Sequence, residues 1–208
     1  MNSAGRVDEL SGRYAGETAF IVGRGPSLLD VAASAFSGGG PIIVLNRALE
    51  QIRLLYPVDS GLPRRVYSQQ KDGCHRHTWQ TPVAELSLPS GHVCGAEWQV
   101  APVAPEALIV STAESPFCFE GYLLRYVVDV EADLHLPWYT MSAPVATRLA
   151  MLMGAARIVM LGFDSMTRGD TRTVEGNRLV DSPHAGYMNA AVQAKEIAHA
   201  AEIPMEWV

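Results

Sequence analysis

The chain has 208 residues, 48% of them apolar and 18% charged, with a net charge of −6. That composition suits a globular protein with one well-buried core, not a disordered chain or a membrane protein, while the acidic balance argues weakly against nucleic acid as the main partner. Fourteen arginines stand against two lysines, Lys71 and Lys195, so anion recognition would fall to arginine forks and backbone N–H groups rather than to a lysine point charge.

No run approaches about 18 uninterrupted apolar residues, so no membrane-spanning helix is expected. The opening "MNSAGRVDELSGRYAGE" is polar and lacks the apolar centre of a signal peptide. Cys74, Cys94 and Cys118 form an odd, widely spaced set that fits a reducing cytoplasm better than a disulfide framework.

In chain order, the first expected strand is "TAFIVG" (18–23), followed by "PSLLDVAASAF", which reads as a helix with Pro26 in its first turn, ending near "SGGG". Strands are then expected at "PIIVLN" (41–46) and "RRVYSQ" (64–69). Residues 70–106 are punctuated by proline and glycine with poor periodicity, the mark of an irregular insertion or lid within one domain spanning 1–208. Inside it "CHRH" (74–77), His92 and Cys94 lack the paired, regular spacing of a zinc site and read as solvated loop residues.

"ALIVS" (107–111) is the next strand, and "APVATRLAMLMGA" a helix with Val145, Leu149, Leu152 and Met153 on one face and Gly154 as its C-terminal cap. "RIVMLGF" (157–163), an alanine-rich helix over about 185–201 and "IPMEWV" (203–208) complete the pattern. Trp207 is expected to pack under the sheet or sit at a subunit contact; self-association is left open. Most strand runs are continuously apolar and alternate with helices. The fold class is therefore α/β, with a mostly parallel sheet buried on both faces: a Rossmann-like three-layer α/β/α domain.

The chemistry concentrates where "TAFIV" ends in Gly23-Arg24-Gly25-Pro26-Ser27. Two residues without Cβ let a ligand approach the main chain, and a helix N-terminus beyond them would complete a small anion cradle. The third glycine of the dinucleotide fingerprint is replaced by Leu28, and the Gly-Lys-Ser/Thr ending of a P-loop is missing. Asn46 and Arg47 follow the second strand, Ser142 precedes a helix, Gly162-Phe163-Asp164 ends a later strand, and His184 and Tyr187 stand just before the last helix. All are expected at the carboxyl edge of the sheet.

Taken together, "GRGPSL", "VLNRA", "MSAPVATRLAMLMGAARIVMLGFD" and the segment containing His184 resemble the small bacterial sialyltransferases of glycosyltransferase family 42. They are similar also to the broader 6-hydroxymethylpterin diphosphokinase (MptE-like) family, which includes bacterial and phage proteins. The resemblance covers 18–50, 138–165 and 182–205, about half of the chain. It implies that Gly23, Gly25, Ser27 and Asn46 hold the phosphate and ribose of a CMP-sugar donor, and that Gly162 and Asp164 contact the base. Where the family has asparagine this chain has Arg24, which would either clamp a phosphate bidentately or fill the place a sugar needs. Of the family's Thr-Ser-Gly turn only Ser142 remains.

The tyrosines that stabilise the departing phosphate in that family have no counterpart in "SMTRGDTRTVEGNR", which leaves two alternatives: Arg168 or Arg172 substitutes electrostatically, or the reaction is a different one. The family's general base falls on His184, with Tyr187 as the alternative. Imidazole, with a pKa near ~6.5, accepts a proton at neutral pH far better than a phenol near ~10.

Three readings follow: metal-independent sugar transfer from a nucleotide donor to a hydroxyl acceptor; ATP- and magnesium-dependent pyrophosphoryl transfer, with Asp72, Asp164, Asp170 and Asp181 as candidate ligands; or a non-catalytic nucleotide-binding or assembly protein of the same fold.

Overall fold

A computed structural model of the protein describes residues 5–45, 48, 52, 66–70, 85–87, 93–95, 108–112, 125–137, 141–164, 172–175, 178–181 and 187–208. Its elements are β1 (Gly5–Arg6), β2 (Thr18–Val22), β3 (Ile42–Leu45), β4 (Val66–Gln70), β5 (Glu85–Ser87), β6 (Val93–Gly95), β7 (Leu108–Thr112) and β8 (Arg125–Val128), then α1 (Ser142–Leu152), β9 (Arg157–Leu161), β10 (Arg172–Glu175), β11 (Arg178–Asp181), α2 (Tyr187–Ala200) and β12 (Met205–Trp207). Eight strands form one sheet in the order β1-β8-β7-β4-β3-β2-β9-β12, and every pairing within it is parallel. The protein is thus α/β with a parallel sheet, as its alternation of strand and helix predicts.

Continuous apolar runs exist because the central strands are covered on both sides. Ala19 and Ile21 of β2, Ile43 and Leu45 of β3, and Ile158 and Met160 of β9 face one core. Their neighbours Phe20 and Val22, Ile42 and Val44, and Val159 and Leu161 face another. The first face is packed by α1 through Ala146, Leu149, Ala150 and Met153, and by α2 through Ala190 and Ala194. Small side chains on both helices let them lie side by side. The second face is closed by Leu28, Phe36, Ala48 and Ile52, with Phe36 edge-on to Phe20 at a 5.5 Å ring separation.

The segment "PSLLDVAASAF" departs from the expected helix. It forms two 3-10 turns, Pro26–Asp30 and Ala33–Phe36, separated by extended residues Val31 and Ala32. Leu28, in the first turn, and Phe36, in the second, are both buried in the core of the second face.

Helix α1 meets its predicted end. Met153 caps it, and Gly154 follows at φ +89°. Its last carbonyls accept hydrogen bonds from the loop leading into β2: Gly12 N–H to Leu152 at 2.9 Å and Tyr14 N–H to Met153 at 2.7 Å. The C-terminus of α1 is therefore fixed beside the start of β2. Its N-terminus, roughly 16 Å away at 1.5 Å per residue, points toward the carboxyl edge of the sheet. Helix α2 runs the same way: Ile203 N–H donates to Ala198, and the Pro204 carbonyl accepts from Ile158 at the start of β9.

Trp207 packs against the first core, edge-on to Phe163 at 5.7 Å. Of the span 70–106, the described part beyond Gln70 is the antiparallel pair β5–β6. Strands β1, β5, β6, β8, β10 and β11 were not expected from the sequence; β10 and β11 form an antiparallel pair that also stands apart from the main sheet. Among the described residues no helix is long and apolar enough to cross a membrane.

Gly154 adopts a left-handed conformation, and a Cβ there would lie 2.9 Å from the Ala15 Cα. Gly154→Ala is expected to cost about 1–2 kcal/mol from the backbone conformation alone, with steric crowding added. Urea unfolding should show a lower midpoint at unchanged slope; an unchanged midpoint would contradict this account of the helix end.

Candidate functional site

From β2 the sheet is extended outward by β3, β4, β7 and β8 in turn, after which the chain returns to place β9 on the other side of β2. The chain leaving β2 covers the second face through Leu28 and Phe36, whereas α2, which follows β9, covers the first. The connections diverge at the carboxyl ends of β2 and β9. In parallel sheets such a reversal opens a crevice.

Two glycine-containing turns meet there. The Gly23 N–H donates to the Leu161 carbonyl at 2.8 Å and the Gly25 N–H to the Gly162 carbonyl at 2.6 Å. A Cβ on Gly23 would fall 2.6 Å from the Gly162 oxygen; one on Gly25 would fall 2.7 Å from both that oxygen and the Asp164 nitrogen. Gly25 has an ordinary extended backbone, φ −66° and ψ 159°, so space rather than conformation requires glycine there. Gly162 needs it on both counts, with φ +71° and the Gly23 oxygen 2.9 Å from a would-be Cβ.

This close approach brings Asp164 to Ser27. The Asp164 side chain is buried, and its Oδ2 accepts the Ser27 N–H at 3.0 Å and the Ser27 hydroxyl at 2.8 Å. A buried carboxylate is costly unless hydrogen-bonded, and two donors converging on one oxygen compensate it. The carboxylate caps the 3-10 turn Pro26–Asp30 from a segment 137 residues away.

Three of the N–H groups expected to form an anion cradle are thus committed to protein acceptors. The N–H groups of Gly23, Gly25 and Ser27 are all engaged internally, and Pro26 has none. The Arg24 carbonyl accepts the Val174 N–H at 2.8 Å, which ties the loop to β10. The Arg24 side chain is half-buried. Thr173 and Val174 of β10 are buried, and the Thr173 hydroxyl has no hydrogen-bond partner among the described residues.

Gly23, Arg24, Gly25, Ser27, Gly162 and Asp164 therefore come together. Ser142, half-buried, is the first residue of α1 and lies at the same edge of the sheet by the direction of that helix. Tyr187 opens α2 at that edge too; its side chain lies outside the described residues. Asn46, Arg47, Arg168 and His184 lie outside them, as do Asp72, Asp170, Cys74, His77, His92 and Cys118 and the side chain of Cys94. Arg172 and Asp181 are exposed and face each other in the β10–β11 register. Among the described residues no three His, Cys, Asp or Glu are grouped to hold a metal ion, and Asp164 has one carboxylate oxygen engaged by Ser27.

Sequence reading missed β10 as a wall of this site. The signal was present: "RTVE" and "RLVD" flank Gly176-Asn177, a pair suited to a tight hairpin turn. Compared with protein-family models, curated proteins and solved structures, the chain matches none significantly.

Gly25→Ala would drive a methyl group into the Asp164 main chain and the Gly162 carbonyl. It should destabilise the fold by about 1–3 kcal/mol, the usual cost of overpacking. Gly39→Ala, whose new Cβ would touch only the flexible Glu17 carboxylate, is the near-neutral control. Equal thermal midpoints for the two variants would refute the close-approach argument.

Proposed function

We propose that the chain is a metal-independent glycosyltransferase that takes its sugar from a nucleotide donor, sialyltransferase-like, on a Rossmann-like three-layer α/β/α framework. The observation that carries this reading is the reversal of strand order between β2 and β9, with the locked Gly23–Ser27 turn presenting Arg24 beside it. Nucleotides favour such crevices in parallel sheets. The motif resemblance supplies the donor class, with a CMP-sugar first.

In this mechanism His184 removes the proton of an acceptor hydroxyl, and that oxygen attacks the anomeric carbon in line with the departing group. The bond from the anomeric carbon to the phosphate oxygen breaks, and its electron pair stays on the nucleotide phosphate. Arg24, with Arg168 or Arg172, offsets the charge that develops there. Ser142 and Asn46 bind the donor from the neighbouring segments. The cysteine usage fits a cytoplasmic setting.

A second reading, a nucleotide-binding protein without turnover, is favoured by one observation: Ser27 is engaged by Asp164 instead of being offered to a ligand.

Thermal shift and turnover with CMP-, UDP- and GDP-sugars test the proposal. A ligand at about 100 times its Kd should stabilise the fold by about 2.7 kcal/mol. Arg24→Ala should weaken binding about tenfold or more, as expected for losing a charged fork on phosphate. Binding without hydrolysis or transfer would select the second reading. Magnesium-dependent ATP binding abolished by EDTA would replace both with pyrophosphoryl transfer. No response to any nucleotide would remove every nucleotide-dependent reading and leave an assembly protein of the same fold.

A further inference from the structure

The Ser27–Asp164 contact does more than fill a buried space. Asp164 bonds Ser27 on one side of the turn, Gly162 bonds Gly25 in the middle, and Val174 bonds the Arg24 carbonyl on the other side. Arg24 is thus flanked by two glycines pressed onto another main chain, and its own carbonyl is tied to β10. Gly25 has no side chain to resist rotation, so without these ties residue 24 would sit on a hinge.

Strand β10 lies against the Pro26–Asp30 turn and buries Thr173 and Val174. In the hairpin, Val174 stands opposite Leu179, yet its N–H points away to Arg24. That amide therefore reports docking of the hairpin on the loop rather than the hairpin's own ladder.

We propose that Asp164 is a positioning residue acting through Ser27: it fixes the Gly23–Ser27 turn so that the Arg24 side chain is held for a phosphate-bearing ligand while the Arg24 carbonyl docks the β10–β11 hairpin. This rests on the nucleotide reading for its ligand, but not for its mechanical part. It also assigns Asp164 to the loop instead of to the base of the donor, the role that the motif resemblance implies. Binding at Arg24 and docking of the hairpin share one carboxylate, so loosening that carboxylate should weaken both.

The test uses the full chain and two readouts: amide hydrogen exchange at Val174 without ligand, and affinity for CMP, UMP, GMP and ATP. Asp164→Ala should speed Val174 exchange about 10- to 100-fold, the range expected for losing hydrogen bonds to a charged acceptor. Exchange at Phe20, bonded to Pro41 at 2.8 Å in the sheet, should be unchanged. Nucleotide affinity should fall about tenfold in parallel. Asp164→Asn keeps an acceptor oxygen and should restore most of both. Arg24→Ala should lower affinity and leave Val174 exchange alone, because the carbonyl remains.

If Asp164→Ala does not fold, Ser27→Ala decides, since it removes only the hydroxyl bond and should speed Val174 exchange by about fivefold or more. Unchanged Val174 exchange in the folded variants overturns the proposal. So does Asp164→Asn that loses affinity as fully as Asp164→Ala with exchange at the wild-type rate, because Asp164 would then touch the ligand itself. A wild-type chain that binds none of the four nucleotides fails the functional reading, while the exchange result still decides the positioning role.

Discussion

The contact between two main chains at the ends of β2 and β9 sets everything else at this edge. Three residues without Cβ, Gly23, Gly25 and Gly162, let the turn after one strand lie directly on the turn after its neighbour. At that separation Asp164 reaches Ser27, whose N–H and hydroxyl both donate to the buried carboxylate and offset its desolvation. The order of dependence is clear. Absence of side-chain atoms permits the approach, the approach places the carboxylate, and the carboxylate fixes the turn that carries Arg24.

The two helices of the first face extend this edge. Their C-terminal ends are bonded to the loops entering β2 and β9, so their N-terminal ends open toward the glycine turns. Ala146 and Ala150 on α1 and Ala190 and Ala194 on α2 are all buried in one core. Bulkier side chains there would push the helices apart and carry Ser142 and Tyr187 away from each other. The same small-residue packing that closes the core thus gathers polar groups at one end of the sheet.

Six of the eight strands of the main sheet were legible, most of them as apolar runs bounded by glycine or proline. "RIVMLG" became β9 with Gly162 just beyond it, and the two-faced burial of β2, β3 and β9 explains why alternation was missing. Gly154 was legible as well, since a glycine after an amphipathic run has few other uses. The 3-10 turns were not: Leu28 and Phe36, eight residues apart, fit one face of a helix, so the apolar spacing gives no sign of the extended break at Val31 and Ala32. Asp164 was read as a ligand contact because its partner is 137 residues away and no local pattern shows a carboxylate closing a distant turn. A Gly-x-Gly sequence says that something approaches the main chain. It does not say whether that is a ligand or the protein itself.

Here it is the protein, and that shifts the chemical burden onto side chains. A turn that offers its N–H groups binds phosphate whatever residue stands between the glycines. A turn whose N–H groups at Gly23, Gly25 and Ser27 are spent on Leu161, Gly162 and Asp164 depends on that middle residue. An asparagine there would bring one amide; arginine brings a charged fork with five donors. The composition points the same way, with fourteen arginines to two lysines across the chain. Under the proposed reading, Arg24 supplies in one side chain what the locked main chain no longer provides, and a planar fork held between two immobile glycines discriminates by geometry as well as charge. The glycines then serve specificity by being filled from behind, leaving the arginine as the group that meets the ligand.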